Sequence, residues 1–297
     1  MKMMNTFVVG AFFGTLGMIP MTANAATLYN GWQYATDNLS DADGGTQYDM
    51  RSMAISTIGG TTYVAMSNGM RPGGTTDFGD AINGRISLGD LFLNFSGHNL
   101  DSAAKFNDPM VYGIRFDSTN DSFGNLSATP NAMLGVFGGI TTAALSALNF
   151  GPDSIDGYNT LGNGRTVDAM GDLQSTLGDV SDYLGRDKSV ETNIASGRKL
   201  GDIVILDRAA LEAQGLDFAH LGGGYDTGGD TVFGFSFSSS LLPSSDFTAH
   251  LFEECNNDGI AIMVRGGTTA VPEPGNIALL LGMSVAGVGC VARRRRK

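Results

Sequence analysis

The chain has very little cysteine. Its 297 residues include only Cys255 and Cys290, and Cys290 lies in a long uncharged run close to the C-terminal end. A disulfide within the rest of the chain is therefore excluded, and the apolar core must stabilise the fold unaided, as a domain of this size can. We expect Cys255 to be a small buried apolar residue. The alternative is a reactive thiol or an intermolecular disulfide.

Histidine and catalytic motifs are also scarce. The chain has three histidines and lacks the His-Glu-x-x-His, Gly-x-Ser-x-Gly and phosphate-loop motifs. His250 is followed by Glu253, Glu254 and Cys255, but strand alternation puts His250 and Glu254 on one face and the other two on the opposite face. A structural histidine is favoured over a metal ligand. We predict no catalytic residue, no metal site and no cofactor, and we expect that the protein is not an enzyme.

Basic residues are scarce between the two ends. Residues 26–268 carry 12 Lys+Arg against 29 Asp+Glu, a net charge of −17. Nucleic acid is excluded as a partner, because phosphate binding needs clustered Lys and Arg. An acidic surface favours solubility and can hold divalent cations.

Three acidic loops offer oxygens for calcium. The loop 37–45 carries Asp37, Asp41 and Asp43 but lacks EF-hand spacing, and Gly222–Asp226 only approximates a calcium-binding repeat that does not recur. The third loop contains Asp117, Asn120 and Asp121. We expect solvated turns in all three, with calcium binding as the alternative. Threonine doublets are scattered rather than in rows, so ice binding is disfavoured.

The C-terminal stretch consists of three distinct segments. Pro272-Glu273-Pro274 holds the chain extended. Residues 277–292 are sixteen residues without a charge, about 24 Å as a helix against a hydrocarbon core of about 30 Å. The basic residues that follow stay on the cytoplasmic side; they are Arg293, Arg294, Arg295, Arg296 and Lys297.

This order resembles the PEP-CTERM tail of bacterial exosortase substrates over about the last 27 residues. The resemblance implies that an inner-membrane exosortase recognises Pro272, Glu273 and Pro274 and cuts near them. It also implies that 277–292 is a transient single membrane helix capped by the arginine cluster. An ordinary single-span anchor is the alternative.

The N-terminal end has the features of a secretory signal peptide. Lys2 precedes an apolar run, and Ala23 and Ala25 form an Ala-x-Ala site, so we predict cleavage after Ala25. A membrane-spanning N-terminus is the alternative. The predicted division is a signal peptide at 1–25, an exported β-rich domain at 26–268 and a sorting tail at 269–297.

Between the ends, short alternating apolar runs and 43 glycines favour strands and turns. Met53–Ile58 and Thr61–Met66 flank Gly59-Gly60, a hairpin signal. Alternation places Phe233, Phe235 and Phe237 on one face, and it does the same for three further sets: Leu91, Leu93 and Phe95; Tyr112, Ile114 and Phe116; Phe247, Ala249 and Leu251.

Other segments give weaker signals. We predict one strand over 26–34 with Trp32 in the core, a buried strand over 203–206, and a helical turn after Asp207 that ends at Gly215. Residues 154–201 are polar and suggest a mobile insertion. The predicted fold is mostly β: an antiparallel β-sandwich or jelly-roll-like body with a few short helices, plus a C-terminal single membrane helix.

Two stretches, Phe92–Gly97 and Asp246–Gly259, resemble a group of cyanobacterial-type exosortase-dependent surface proteins. This likeness implies residence at the surface and no particular chemistry. The sequence therefore predicts a secreted protein of the cell surface or extracellular matrix, which is at the inner membrane only during sorting. Its expected partners are signal peptidase and the export machinery, an exosortase and extracellular polysaccharide. The alternative is a carbohydrate-binding or calcium-stabilised adhesion module.

Overall fold

A computed structural model describes residues 27–266, with gaps at 40, 43–44, 77–78, 80, 127–132, 161–168, 175–179 and 227–230. The predicted sorting residues lie outside the described residues; they are Ala23, Ala25, Pro272, Glu273, Pro274, Arg293, Arg294, Arg295 and Arg296. The predicted membrane segment 277–292 lies outside them too. Within the described residues, no helix has both the length and the apolar character that crossing a bilayer requires.

The described residues are mostly β, with a few short helices. The strands are β1 (Thr27–Tyr29), β2 (Trp32–Thr36), β3 (Met50–Ile58), β4 (Thr61–Asn68), β5 (Leu91–Asn94), β6 (Val111–Arg115), β7 (Gly135–Ala143), β8 (Ala169–Met170), β9 (Leu173–Gln174), β10 (Asn193–Gly201), β11 (Val204–Asp207), β12 (Val232–Ser238), β13 (Phe247–Phe252) and β14 (Gly259–Val264). The α-helices are α1 (Ala103–Phe106), α2 (Ile155–Thr160), α3 (Val180–Leu184) and α4 (Arg208–Glu212).

Twelve of these strands form two six-stranded antiparallel sheets. The first has the order β1-β2-β3-β4-β12-β11 and the second the order β10-β7-β6-β5-β13-β14. β8 and β9 pair separately with each other. The mostly β fold with antiparallel sheets and a few short helices, predicted from alternation, is confirmed.

The main core lies between the two sheets. Phe235, from the first sheet, and Leu251 and Ile262, from the second, are 0% exposed and belong to one buried apolar cluster. All four predicted apolar faces contribute to this cluster, so those four predictions are confirmed. Each buried leucine or phenylalanine contributes about 2–3 kcal/mol relative to an exposed one.

The outer face of each sheet is covered as well. α4 and the segment after it pack Leu211 and Phe218 onto Trp32 of the first sheet, and Trp32 is fully buried as predicted. On the second sheet, the segment 154–190 packs Ile155, Val180 and several neighbours onto β7, β13 and β14. For the described residues of 154–201 the predicted mobile insertion is wrong: their apolar side chains, although widely spaced, face the sheet, and Asn193–Gly201 is strand β10. Residues 161–168 and 175–179 lie outside the described residues.

Two further predictions need correction, and a third is confirmed. The single strand predicted over 26–34 is wrong: residues 27–36 form the two strands β1 and β2, because Asn30 and Gly31 have positive φ and make a tight turn. β11 is not buried: it is an edge strand, and Val204 and Ile205 are 60% and 46% exposed. The predicted helical turn after Asp207 is confirmed, because the Asp207 carboxylate accepts a hydrogen bond from the Ala210 N–H at 2.9 Å.

Candidate functional site

A group of buried carboxylates lies where the loop after β2 meets the turn between β13 and β14. Asp37, Asp41 and Asp258 each offer an oxygen, and these oxygens lie within 4.8 Å of one another. Each residue is only 4% exposed. Packing of the two sheets brings this about, because β2 and β14 contact each other although Asp37 and Asp258 are far apart in sequence.

The backbone fixes the orientation of these side chains. Asp258 accepts hydrogen bonds from the Met50 N–H and the Gly259 N–H, both at 2.7 Å. Asp37 accepts one from the Gly171 N–H at 2.9 Å through Oδ1. Its other carboxylate oxygen, Oδ2, is buried and accepts no hydrogen bond among the described residues.

Two more acidic residues adjoin the group. Glu253 is 0% exposed, and neither of its carboxylate oxygens has a well-formed hydrogen bond within the described part of the chain. Asp49 precedes β3 and pairs with Arg51, whose Nε lies 2.8 Å from Oδ2 of Asp49. With Asp37, Asp41 and Asp258, these two residues make a group of five carboxylates.

This arrangement is electrostatically unfavourable for a protein alone. Burial raises the pKa of Asp37, Asp258 and Glu253 well above their usual range, and neighbouring carboxylates raise them further. Two like charges 4–5 Å apart repel by about 3–4 kcal/mol at an effective dielectric constant of about 20. Ionised, the group therefore needs a compensating cation.

Tyr158 of α2 closes the site on one side. Its hydroxyl donates a hydrogen bond to the backbone carbonyl of Asp41. Burial raises the pKa of this hydroxyl, and Asp258, Asp41, Asp37 and Glu253 raise it further. Four of the carboxylates thus raise the pKa of the same phenol, so all four lie near the Tyr158 hydroxyl.

A second buried polar group has a different character. Both oxygens of Asp90 accept hydrogen bonds, from Asn120 at 2.9 Å and from Ser122 and the Ile194 N–H. Glu254 likewise accepts bonds from the N–H groups of Ser87 and Asp121 and from the Asn193 amide. These hydrogen bonds join loops to the second sheet. Because both oxygens of each carboxylate are hydrogen-bonded, this group does not require a ligand.

The acidic loops depart from expectation. Asp37, Asp41, Asp117, Asn120 and Asp121 are all buried, so the prediction of solvated turns is wrong for them. Asp43 lies outside the described residues. In the loop Gly222–Asp226, Asp226 makes a two-pronged contact with Arg208, at 2.7 and 2.8 Å.

His250 and Cys255 are both buried, and the burial predicted for Cys255 is confirmed. His250 is 0% exposed among aromatic rings, including Phe92, Phe106 and Tyr183, and burial lowers its pKa to about 3. Cys255 is also fully buried, and burial raises the pKa of its thiol. Neither residue belongs to the carboxylate group.

A cavity of about 210 Å³ opens at the other edge of the core, beside Phe95, Phe247 and Pro243. It contains none of the five carboxylates. Pockets for drug-sized ligands span about 300–1,000 Å³, so this cavity fits only a small chemical group.

The carboxylate group was missed because its members come from separate loops, and no local motif joins them. The available signal was the frequency of aspartate in turns that flank apolar strands. Comparisons add no relative from which a role could be transferred. No protein-family model, curated protein or solved structure matches the chain.

Proposed function

We propose that this chain is an exported protein of the cell surface or extracellular matrix, sorted by an exosortase through its C-terminal tail. The observation that carries the proposal is the order of signals in the sequence: an Ala-x-Ala site at one end, and Pro-Glu-Pro, an apolar run and an arginine cluster at the other.

The architecture fits the proposed place at the cell surface. Strands β13-β5-β6-β7 have the order of a Greek key, in which a fourth strand returns beside the first of three consecutive strands. We therefore interpret the two sheets as a β-sandwich. Folds of this kind are common among cell-surface domains and display loops at both ends.

The proposed partners are signal peptidase and the export machinery, the exosortase, and the polysaccharide of the extracellular layer. The net charge of −17 between residues 26 and 268 disfavours nucleic acid. Titration calorimetry with matrix glycans tests the carbohydrate-binding alternative: a structural protein gives no saturable heat, whereas a binding module does.

The intact mass of the protein from its host's cell surface tests the proposal. We expect a mass that lacks residues 1–25 and everything beyond about Pro274. Replacing Pro272, Glu273 and Pro274 by alanine should leave the tail attached, whereas alanine at Thr268 and Thr269 should not. A wild-type mass that retains Arg293–Arg296 contradicts the proposal and indicates a membrane-anchored protein.

A further inference from the structure

We infer that Asp37, Asp41 and Asp258 bind one divalent cation, calcium, at the junction between the two sheets. Glu253 adds a fourth carboxylate beside them. The geometry fits a single ion: two oxygens that bind calcium at about 2.4 Å lie no more than about 4.8 Å apart, and the three aspartates present oxygens within 4.8 Å of one another.

Unused acceptors in this site indicate that a cation belongs there. Oδ2 of Asp37 and both carboxylate oxygens of Glu253 are buried, and none accepts a well-formed hydrogen bond among the described residues; the Asp258 N–H only approaches Glu253. Buried polar atoms are nearly always paired, and an unpaired buried carboxylate is among the costliest exceptions. The fully bonded carboxylates of Asp90 and Glu254 show that this chain can satisfy buried acids without an ion.

The donor set favours calcium over the alternatives. All the candidate donors are oxygens, whereas zinc sites usually include histidine or cysteine. Magnesium usually keeps several waters and takes one or two protein carboxylates, whereas calcium accepts six to eight oxygens from loops. A buried site with three or four carboxylates therefore suits calcium. If the chain is exported as proposed above, we expect a dissociation constant of about 10⁻⁴–10⁻³ M, as in extracellular modules.

The site would link distant parts of the fold. Asp37 directly follows β2 of the first sheet, and Asp258 lies in the turn that joins β13 to β14 of the second. Asp41 is bonded through its carbonyl to Tyr158 of α2, which covers the second sheet. One ion would thus fasten both sheets and the outer cover together, so its removal should lower the stability of the whole fold.

Thermal unfolding of the full chain in mild detergent, with calcium or with the chelator EGTA, tests the inference. At calcium a hundredfold above the dissociation constant, the melting temperature should rise by about 5–10 °C. Asp258→Asn should abolish this shift. The matched control Asp90→Asn removes a buried carboxylate from the other polar group, so it should lower the melting temperature but keep the calcium shift.

Terbium luminescence detects binding of a cation in the wild-type protein, without substitution of any carboxylate. Terbium substitutes for calcium, and excitation of Tyr158 should sensitise its emission in competition with added calcium. Tyr158→Phe should lower that emission at least twofold.

If Asp258→Asn does not fold, Glu253→Gln serves instead and should raise the calcium midpoint at least fivefold. Wild-type protein with neither a calcium shift nor terbium emission would overturn the inference, as would a full calcium shift in Asp258→Asn. These readings are independent of the intact-mass test, so either proposal can fail alone.

Discussion

Asp172 shows how burial of one side chain makes stability depend on pH. It lies beside β14, where its carboxylate accepts a hydrogen bond from the Met263 N–H at 2.9 Å. Burial raises its pKa from 3.8 to about 7. Between these values the folded state holds the proton more tightly than the unfolded state, so stability falls as pH rises through this window.

Replacing Asp172 by asparagine should remove this pH-dependent cost while keeping an acceptor for the Met263 N–H. At constant calcium, the free energy of unfolding should increase by about 4 kcal/mol at pH 8 and by only about 1.5 kcal/mol at pH 5. Urea denaturation at the two pH values measures both gains. Asp202, whose side chain is 88% exposed, is the control. Asp202→Asn should alter the free energy of unfolding by less than about 0.5 kcal/mol. Equal gains at both pH values for Asp172→Asn would contradict the raised pKa of Asp172 as the cause.

At the scale of secondary-structure elements, the β3–β4 hairpin depends on its two glycines. Gly59 and Gly60 have φ of 56° and 83°, which is the left-handed region that a two-residue hairpin turn requires. A Cβ at either position would meet no atom within 4 Å, so substitution there changes backbone energy without a clash.

Two substitutions at Gly59 should separate this backbone effect from packing. Asparagine visits the left-handed region readily, so Gly59→Asn should change the free energy of unfolding by less than about 0.5 kcal/mol. Valine does not, and Gly59→Val should cost about 1–2 kcal/mol. Urea denaturation of both variants measures the two changes. An equal loss of unfolding free energy in the two variants would exclude the left-handed backbone conformation as the reason for glycine at this position.

Sequence patterns predicted the elements whose signal is local. Alternation identified the inward faces of β5, β6, β12 and β13 because small or polar residues, such as Asn94, Gly113 and Ser236, separate the large apolar side chains. It failed at β11, where Val204 and Ile205 read as buried, because an apolar run does not show whether the strand has a neighbour on both sides.

The carboxylate group could not be predicted in the same way. Asp37 comes from a loop after the second strand, and Asp258 comes from the last turn of the fold. Their proximity results from the packing of β14 against β2 and β3, which no spacing rule along the chain contains. Each aspartate alone resembles an ordinary turn residue, so solvated loops were the natural expectation.

At the scale of the whole molecule, the two sheets are held together without a disulfide. Cys255 is a free thiol that lies in the core between them, and its pKa is raised by burial and by the charges of Glu253 and Glu254. The described fold therefore relies on its shared apolar core and on polar groups at the rim.

This absence of cross-links has a measurable consequence. Reducing agent should change the melting temperature by less than about 1 °C, because thiol chemistry contributes nothing to the fold. Iodoacetamide followed by peptide mapping should modify Cys255 only after unfolding, because the native thiol is buried and protonated. Modification of native Cys255 at the rate of the denatured protein would show that the core opens readily.

The position of β14 also determines how the fold bears mechanical load. Among the described residues β14 is an edge strand that pairs with β13, and its C-terminal residue Val264 lies opposite Phe247. A pull on the C-terminal end therefore peels the pairs apart one after another, from Val264 toward Gly259. The next residue in that direction is Asp258, in the turn that faces the β2 loop. The β13–β14 pairs should therefore separate first at Val264. The turn that contains Asp258 should be the last part of the hairpin to be pulled apart.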